Sequence, residues 1–272
     1  MTRLRPRDVV DIPRTLEEYD KELRRKTGCN LLEIAEDAAQ ADSTVRRTLK
    51  KTDAAVVPIT SGGGVIKGFS EAVAAILNHI GTNAMITRGA DVVGIAEAYE
   101  QGADLLLFAD DKKFVAINTH TRRVVDNATA TAKAYVAALG RMANGLTGKR
   151  VLVIGVGNVG TVAVSNLILR RAKPLAVDID MQKLKDLKAR FGRRVSIFHR
   201  TSDALRTTNL IVNTAPVRNL IKANMVGENT LISAPAVPIG LTQAVLRKIW
   251  HNVVHDSLQL GVATMAVEAC VN

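Results

Sequence analysis

The sequence has 272 residues, of which 47% are hydrophobic and 23% charged, and its formal net charge is +11. This is a globular composition that excludes wholesale disorder, and the length allows two modest domains. Aromatic residues make up only 3% of the chain, which disfavours the stacking platforms of proteins that bind single-stranded nucleic acid.

The first half of the chain predicts N-terminal helices followed by a small α/β domain. Apolar residues at three- and four-residue spacing predict two helices within residues 1–50, separated by Gly28. Strand and helix patterns then follow one another. The predicted strands are 54–60, 83–87, 104–110 and 113–118, and the predicted helices are 69–80 and 92–101. Such alternation is typical of a parallel sheet flanked by helices. An Ala-rich helix at 128–145 is expected to link this domain, residues 1–145, to the next.

Residues 146–272 predict a second α/β domain that ends in a C-terminal helix. A buried strand runs into glycines within 149–160, and further strand and helix patterns follow it. The predicted strands form a sheet of about six members. After the first they lie at 174–180, 195–199, 209–215, 230–235 and 252–257. The fold class is therefore α/β with two domains, the second a doubly wound sheet.

A glycine motif marks the start of this second domain. Gly155, Gly157 and Gly160 form GxGxxG between a predicted strand and a predicted helix. Gly155 permits a tight turn, Gly157 lets the backbone approach a pyrophosphate, and Gly160 lets the helix pack closely on the sheet. The backbone amides of Asn158 and Val159 are expected to bind the phosphates at the positive end of the helix. The pattern indicates a Rossmann dinucleotide site.

The remaining cofactor residues follow from later strand ends. Asp178 ends the next predicted strand, where a carboxylate accepts hydrogen bonds from ribose hydroxyls and repels a 2′-phosphate. This predicts NAD rather than NADP, and Asp180 adds to the repulsion. Two further loops follow later predicted strands, and they either line the ribose and nicotinamide of the cofactor or serve only to terminate the strands. Their candidate residues are Asn213, Thr214, Ala215, Pro216, Ala234 and Pro235.

Several segments carry a resemblance to a known family. They occur in the order TSGGGVIKGFSEA (60–72), LLLFADDKKFVAIN (105–118), VLVIGVGNVG (151–160), AVDID (176–180) and HDSLQLGVATM (255–265). Together they resemble the PylD family of pyrrolysine-biosynthesis dehydrogenases, over nearly the whole chain. The resemblance implies NAD-dependent oxidation of the terminal amine carbon of 3-methyl-D-ornithyl-N6-L-lysine, with loss of ammonia and ring closure to L-pyrrolysine.

The resemblance also implies a set of substrate contacts. Family contacts match at Leu4, Ser61 and Asp110, while Asp256 stands where the family has a glutamate. It further implies that Leu4 belongs to a lid that closes over the substrate.

The residues themselves are compatible with such a substrate, because ammonium groups require carboxylates. Asp110 and Asp256 are the candidate catalytic residues, and which of them takes the proton stays open. The amides of Gly62 and Gly63 are expected to approach a substrate carboxylate, and Asn118 to contribute an amide. We expect the substrate between the two domains. His255 neighbours Asp256, but the resemblance does not require a histidine there.

Two other functions remain open at this point. The first is another NAD-dependent dehydrogenase, of the amino-acid or shikimate type, for which Lys67 or Lys112 would be the catalytic lysine. The second is a regulator that senses NAD(H) and binds nucleic acid, which the basic charge favours. Basic residues are scattered over separate segments, however, so we expect no nucleic-acid partner.

Cysteine use and terminal segments indicate the compartment. Cys29 and Cys270 lie near opposite ends of the chain and form neither a disulfide framework nor a metal motif. No apolar run has the length of a membrane span, and the N-terminus lacks the apolar region of a secretory signal. We expect a cytoplasmic enzyme without bound metal that acts on a small molecule. A homodimer is one assembly left open.

Overall fold

The computed structural model describes residues 3–271 of the chain. It divides into two compact units. The first unit comprises the chain up to Glu22, Cys29–Ala134 and the segment from Ser257 onward. The second comprises Leu23–Gly28 and Tyr135–Asp256.

The elements of the first half agree closely with the predicted pattern. Its helices are α1 (Ile12–Thr27), α2 (Leu31–Ala39), α3 (Val45–Leu49), α4 (Phe69–His79), α5 (Asp91–Glu100) and α6 (Asn127–Met142). Its strands are β1 (Asp53–Val57), β2 (Asn83–Ile86), β3 (Leu105–Ala109), β4 (Phe114–Asn118) and β5 (Val124–Asp126). The pattern did not predict β5, which is three residues long.

The second half alternates strands and helices as expected. Its strands are β6 (Arg150–Ile154), β7 (Lys173–Val177), β8 (Ser196–Phe198), β9 (Leu210–Asn213), β10 (Leu231–Ser233) and β11 (Val253–Val254). Its helices are α7 (Asn158–Leu169), α8 (Met181–Phe191), α9 (Thr201–Leu205), α10 (Gln243–Ile249) and α11 (Gln259–Cys270). The pattern did not predict α10.

The sheet of the first unit is mixed rather than parallel throughout. Its strand order is β2-β1-β3-β4-β5, with β2, β1 and β3 parallel and the last two pairs antiparallel. Only residues 110–113 connect β3 to β4, and a parallel connection needs a crossover of a dozen or more residues. The short connection therefore dictates a hairpin and places the acidic pair Asp110 and Asp111 in its turn.

The C-terminal helix belongs to the first unit, whereas the sequence pattern assigned it to residues 146–272. All residues of α11 except Glu268 are buried, and the helix packs against α2, α4 and β4. A helix that is apolar on every side must be covered on every side. The local sequence pattern predicts the helix, but not the earlier elements against which it packs.

The sheet of the second unit is parallel, with the strand order β11-β10-β9-β6-β7-β8. This is the doubly wound order of a Rossmann domain, in which the direction of winding reverses between β6 and β9. Ligands of such sheets bind beyond the carboxyl ends of the strands at that reversal. The glycine turn after β6 and the loop after β9 both lie there.

No helix within residues 3–271 is long and apolar enough to cross a membrane. In the same residues, no group of three or more His, Cys, Asp or Glu side chains is arranged to hold a metal ion.

Candidate functional site

The glycine turn after β6 has the geometry that its sequence predicts. Gly155 adopts a φ of +87°, which L side chains rarely adopt. A Cβ on Gly155 would lie 3.1 Å from the amide nitrogen of Ala215. A Cβ on the buried Gly160 would overlap the carbonyl oxygen of Gly155. These two glycines are therefore required by close packing within the unit itself.

The third glycine of the motif faces open space. A Cβ on Gly157 would have no heavy atom within 4 Å, and its φ of −67° is open to any residue. Gly157 caps α7, so Asn158 and Val159 form the first turn of that helix. Amides in a first helical turn have no intrahelical acceptor and attract anions. The space and the donors fit a dinucleotide pyrophosphate.

Thr214 and Asn213, both predicted as cofactor contacts, are hydrogen-bonded within the fold. The Thr214 hydroxyl donates to the carbonyl of Gly155 at 2.7 Å, and its amide donates to Ile154 at 2.9 Å. Asn213 is fully buried and donates its side-chain amide to the carbonyl of Ile239 at 2.9 Å. Both residues thus shape the glycine turn and the neighbouring loop.

Asp178 lies at the end of β7 and is also tied to the turn. One carboxylate oxygen accepts the amide of Val156 at 2.7 Å, and the other accepts the amide of Asp180 at 2.9 Å. Each oxygen retains a second lone pair for a ribose hydroxyl. Asp180 caps α8 by accepting the amides of Gln182 and Lys183. Asp178 therefore combines a structural contact with the position expected of a ribose ligand.

A buried tyrosine holds the segment that contains Asp256. The Tyr135 hydroxyl accepts the Asp256 amide at 2.9 Å and lies 3.1 Å from its carbonyl oxygen, to which it donates. Burial raises the pKa of Tyr135 well above 10, and the charge of Asp256 adds to that rise. Ser233, at the end of β10, donates to the Tyr135 carbonyl at 2.6 Å. Tyr135 thus fastens the ends of β10 and β11, and sequence reasoning did not identify it.

In the first unit, the glycine loop after β1 is occupied by charged side chains of the chain itself. The Arg3 guanidinium pairs with the Asp111 carboxylate and donates to the carbonyls of Gly63 and Gly64 at 2.8 and 2.7 Å. Asp111 in turn accepts the amide of Gly63 at 2.7 Å. We call Arg3, Asp111 and residues 62–64 the Arg3 latch.

The glycines of the latch are explained by these contacts. A Cβ on Gly62 would lie 2.9 Å from Cγ of Asp111, and one on Gly63 would lie 2.7 Å from the guanidinium carbon of Arg3. Gly62 also has a φ of +69°. Glycine is needed here because charged side chains approach the backbone, so the glycines alone do not indicate a substrate carboxylate.

The latch brings together three segments with predicted substrate contacts. Leu4 is half-buried and follows Arg3, Ser61 precedes the glycines, and Asp110 precedes Asp111. Asp110 accepts the amides of Lys112 and Lys113, both at 2.7 Å. These hydrogen bonds, that from Lys113 first, lower the pKa of Asp110. Asp110 is therefore a persistent negative charge, suited to holding an ammonium group and poorly suited to taking its proton.

Asn118 lies elsewhere, which corrects the prediction that it shares a site with Asp110. It pairs with Leu105 at the opposite end of the β3–β4 hairpin. Its side chain donates to the carbonyl of Ala269 at 3.1 Å and accepts the amides of His120 and Thr121. Asn118 therefore acts as a buried turn residue. It lies far from Asp110, because a strand of five residues separates its two ends by roughly 13–17 Å.

The chain is similar to known proteins over nearly its whole length. Residues 8–125 match the family described as pyrrolysine biosynthesis protein PylD, N-terminal domain. Pyrrolysine synthase of Methanosarcina acetivorans is 27% identical over 97% of this chain and 98% of its own length.

Solved structures show a similar fold. Shikimate dehydrogenase of Aquifex aeolicus has a TM-score of 0.55 at 14% identity, covering 79% of this chain and 91% of that one. Quinate dehydrogenase of Corynebacterium glutamicum, in complex with NAD, has a TM-score of 0.54 at 14% identity, with coverages of 80% and 92%. At such identity these structures establish the two-domain α/β fold alone.

Proposed function

Because the chain belongs with the PylD pyrrolysine biosynthesis proteins, we propose that it is a dehydrogenase specific for NAD. Its substrate is 3-methyl-D-ornithyl-N6-L-lysine, whose terminal amine carbon is oxidised. Ammonia is lost, and the ring closes to give L-pyrrolysine. The observation that carries the proposal is the open glycine turn of a Rossmann unit, in a chain that matches a pyrrolysine synthase over 97% of its length.

The cofactor assignment rests on the residues around that turn. The first-turn amides of α7 would hold the pyrophosphate group of the cofactor, with Gly157 leaving room for it. Asp178 would accept the ribose hydroxyls and repel a 2′-phosphate, which favours NAD. We assign the ribose and nicotinamide end to Ala215, Pro216, Ala234 and Pro235, since they follow β9 and β10. When bound, NAD⁺ supplies the acceptor for a hydride.

The substrate assignment rests on the charge of the first unit. Asp110 is exposed and carries a persistent negative charge, so it would hold a substrate ammonium by a charge-assisted hydrogen bond. Ser61 is exposed beside the latch, and its hydroxyl has no hydrogen-bond partner within residues 3–271. It would donate to a substrate carbonyl or carboxylate, and Leu4 would contribute apolar contact. Asp256 would serve the second cationic group.

The proposed reaction has several steps that the chain's residues would assist. The reacting ammonium must lose a proton before its carbon loses a hydride, since a positive nitrogen opposes hydride departure. The oxidised carbon is attacked by water, ammonia leaves, and the resulting aldehyde condenses with the α-amine of the same molecule. Carboxylates that hold the substrate in one orientation favour this ring closure by proximity.

The direct test is turnover by the purified protein. We expect NADH to form when the protein is mixed with NAD⁺ and the isopeptide-linked substrate, and L-pyrrolysine to be identified by mass spectrometry. Shikimate, quinate and free amino acids serve as parallel substrates. Turnover of one of these, with none of the methylornithyl-lysine, would contradict the proposal and support another dehydrogenase activity.

A further inference from the structure

His255, at the carboxyl end of β11, has a fixed protonation pattern. Its Nδ1 lies 2.7 Å from the carbonyl oxygen of Ala234, the residue that follows β10. A carbonyl oxygen only accepts hydrogen bonds, so Nδ1 must carry the hydrogen. The lone pair of the neutral ring then belongs to Nε2, to which no hydrogen bond is made by any residue between 3 and 271. The basic nitrogen of the neutral imidazole is therefore Nε2.

The surroundings of the ring keep it neutral. Burial lowers the pKa of His255 below its ordinary value of 6.5, and the positive charge of Lys26 acts in the same direction. The Asp256 carboxylate and the hydrogen bond to Ala234 oppose this shift without reversing it. Lys26 is itself held in place, because it donates to the Val253 carbonyl at 2.7 Å and lies 3.9 Å from the centroid of the Trp250 ring.

The position of the ring is equally well determined. Tyr135 binds the backbone of the adjacent Asp256 at two points, and the ring itself is tied to the end of β10. The carboxyl ends of these strands form the edge at which doubly wound sheets bind their ligands. A neutral base is thus fastened to the ligand-binding edge of the second unit.

We propose that Nε2 of His255 is the group that takes the proton from the substrate ammonium, a role that rests on the function proposed above. One N–H bond of the ammonium breaks, its electron pair stays on the amine nitrogen, and the proton forms a bond with Nε2. The neutral amine would then favour departure of a hydride from the adjacent carbon, and bound NAD⁺ would supply the acceptor. A base works best when its pKa lies near the operating pH, which favours an imidazole over the strongly acidic Asp110. Asp256 and Asp110 are left to hold cationic groups, and Tyr135 acts as a positioning residue.

The kinetic test uses His255→Asn. The asparagine amide reaches the place of Nδ1 and preserves the hydrogen bond to Ala234, while the basic nitrogen is lost. We expect kcat to fall roughly 10²- to 10⁴-fold, as for the loss of a general base, and free imidazole to restore part of the rate. Because the pKa of His255 is lowered, wild-type kcat should decline only at a pH below the ordinary histidine range, and this decline should be absent in the variant. His251→Asn, at an exposed histidine four residues earlier, is the matched control and should behave as wild type.

A second measurement is independent of turnover. Two-bond ¹H–¹⁵N correlation spectra of the ¹⁵N-labelled protein, with His255→Asn used for assignment, should show His255 as the Nδ1-protonated neutral ring at pH 7. A ring protonated on Nε2 or on both nitrogens would overturn the inference, whether or not the protein turns over substrate. So would His255→Asn that retains the wild-type kcat and pH profile. Wild-type protein that binds NAD⁺ but does not oxidise methylornithyl-lysine would refute the proposed function instead.

Discussion

Two glycine-rich loops follow buried parallel strands in this molecule, and they use glycine for different purposes. Residues 155–160 pack tightly against their own unit at two glycines and leave the third beside open space. The backbone of residues 62–64 is instead contacted by the Arg3 guanidinium and the Asp111 carboxylate, which occupy the space beside these glycines. A glycine pattern therefore indicates close approach to the backbone, but it does not identify what approaches.

The difference lies in what surrounds each loop. The turn after β6 opens a helix of twelve residues, whose first-turn amides have no partners within the helix. The loop after β1 meets a hairpin whose second acidic residue accepts the amide of Gly63. Donors that are left open attract a ligand, whereas donors that are already bonded stabilise the fold.

The largest effect is expected from Gly160→Ala, in the turn after β6. The new methyl group would overlap the Gly155 carbonyl oxygen and lie 2.8 Å from the Thr214 hydroxyl, so the turn must rearrange. We expect a loss of about 3 kcal/mol in the free energy of unfolding, at the upper end for overpacking, measured by urea denaturation. NAD affinity should be lost as well.

Gly157→Ala is the matched variant within the same motif. Its methyl group enters open space, so the free energy of unfolding should change by less than about 0.5 kcal/mol. NAD affinity should nevertheless fall, because the pyrophosphate would occupy that space. Unchanged affinity in a folded Gly157→Ala protein would contradict the cofactor position.

The corresponding change in the other loop is Gly62→Ala. Alanine at a φ of +69° costs about 1–2 kcal/mol, and the methyl group would also displace the Asp111 carboxylate. Gly102→Ala is the control, since its φ is +75° and a Cβ there meets no heavy atom within 4 Å. If the two variants are equally stable in urea denaturation, Asp111 is not restrained by the loop.

The fold was largely predictable because its signals are local. Buried apolar runs bounded by glycine or charged residues indicate β1, β3, β6 and the succession of the second sheet's strands along the chain. The packing of α11 on α2 joins residues more than 200 positions apart, and no local signal carries it. The short connection between β3 and β4 indicates their antiparallel pairing, whereas the alternation of strand and helix patterns favours a parallel sheet.

The candidate sites were predictable to a lesser degree. Residue type and spacing gave Gly155, Gly160 and Asp178, because their roles are set by a short stretch of backbone. Arg3 and Tyr135 were missed, since each acts through a partner more than 100 residues away. Leu4 stands next to Arg3, so the prediction named a residue of this segment but not the arginine that anchors it.

A smaller effect is expected from Asp178→Asn, at the residue that accepts the Val156 amide of the open turn. The amide keeps an acceptor for Val156 or for a ribose hydroxyl but loses the negative charge. We expect NAD affinity to fall about tenfold, near 1.4 kcal/mol, and discrimination against NADP to weaken. Titration calorimetry with both cofactors measures this. Asp186→Asn, on the following helix, removes the same charge farther along the chain and serves as the control. Tighter binding of NADP than NAD by the wild-type protein would refute the assignment of Asp178.

The smallest expected effect concerns the Arg3 latch itself. The side chains of Arg3 and Asp111 are each 41% exposed, so their ion pair should contribute less than about 1 kcal/mol, and less at high salt. Arg3→Ala should therefore leave the urea midpoint nearly unchanged while speeding hydrogen exchange of the Gly63 and Gly64 amides. Arg5→Ala removes a neighbouring exposed charge and should leave that exchange unaltered. Because Asp111 also accepts the Gly63 amide directly, Asp111→Ala should speed exchange more than Arg3→Ala does. The reverse order would mean that the guanidinium, rather than the carboxylate, fills the loop and holds its glycines in place.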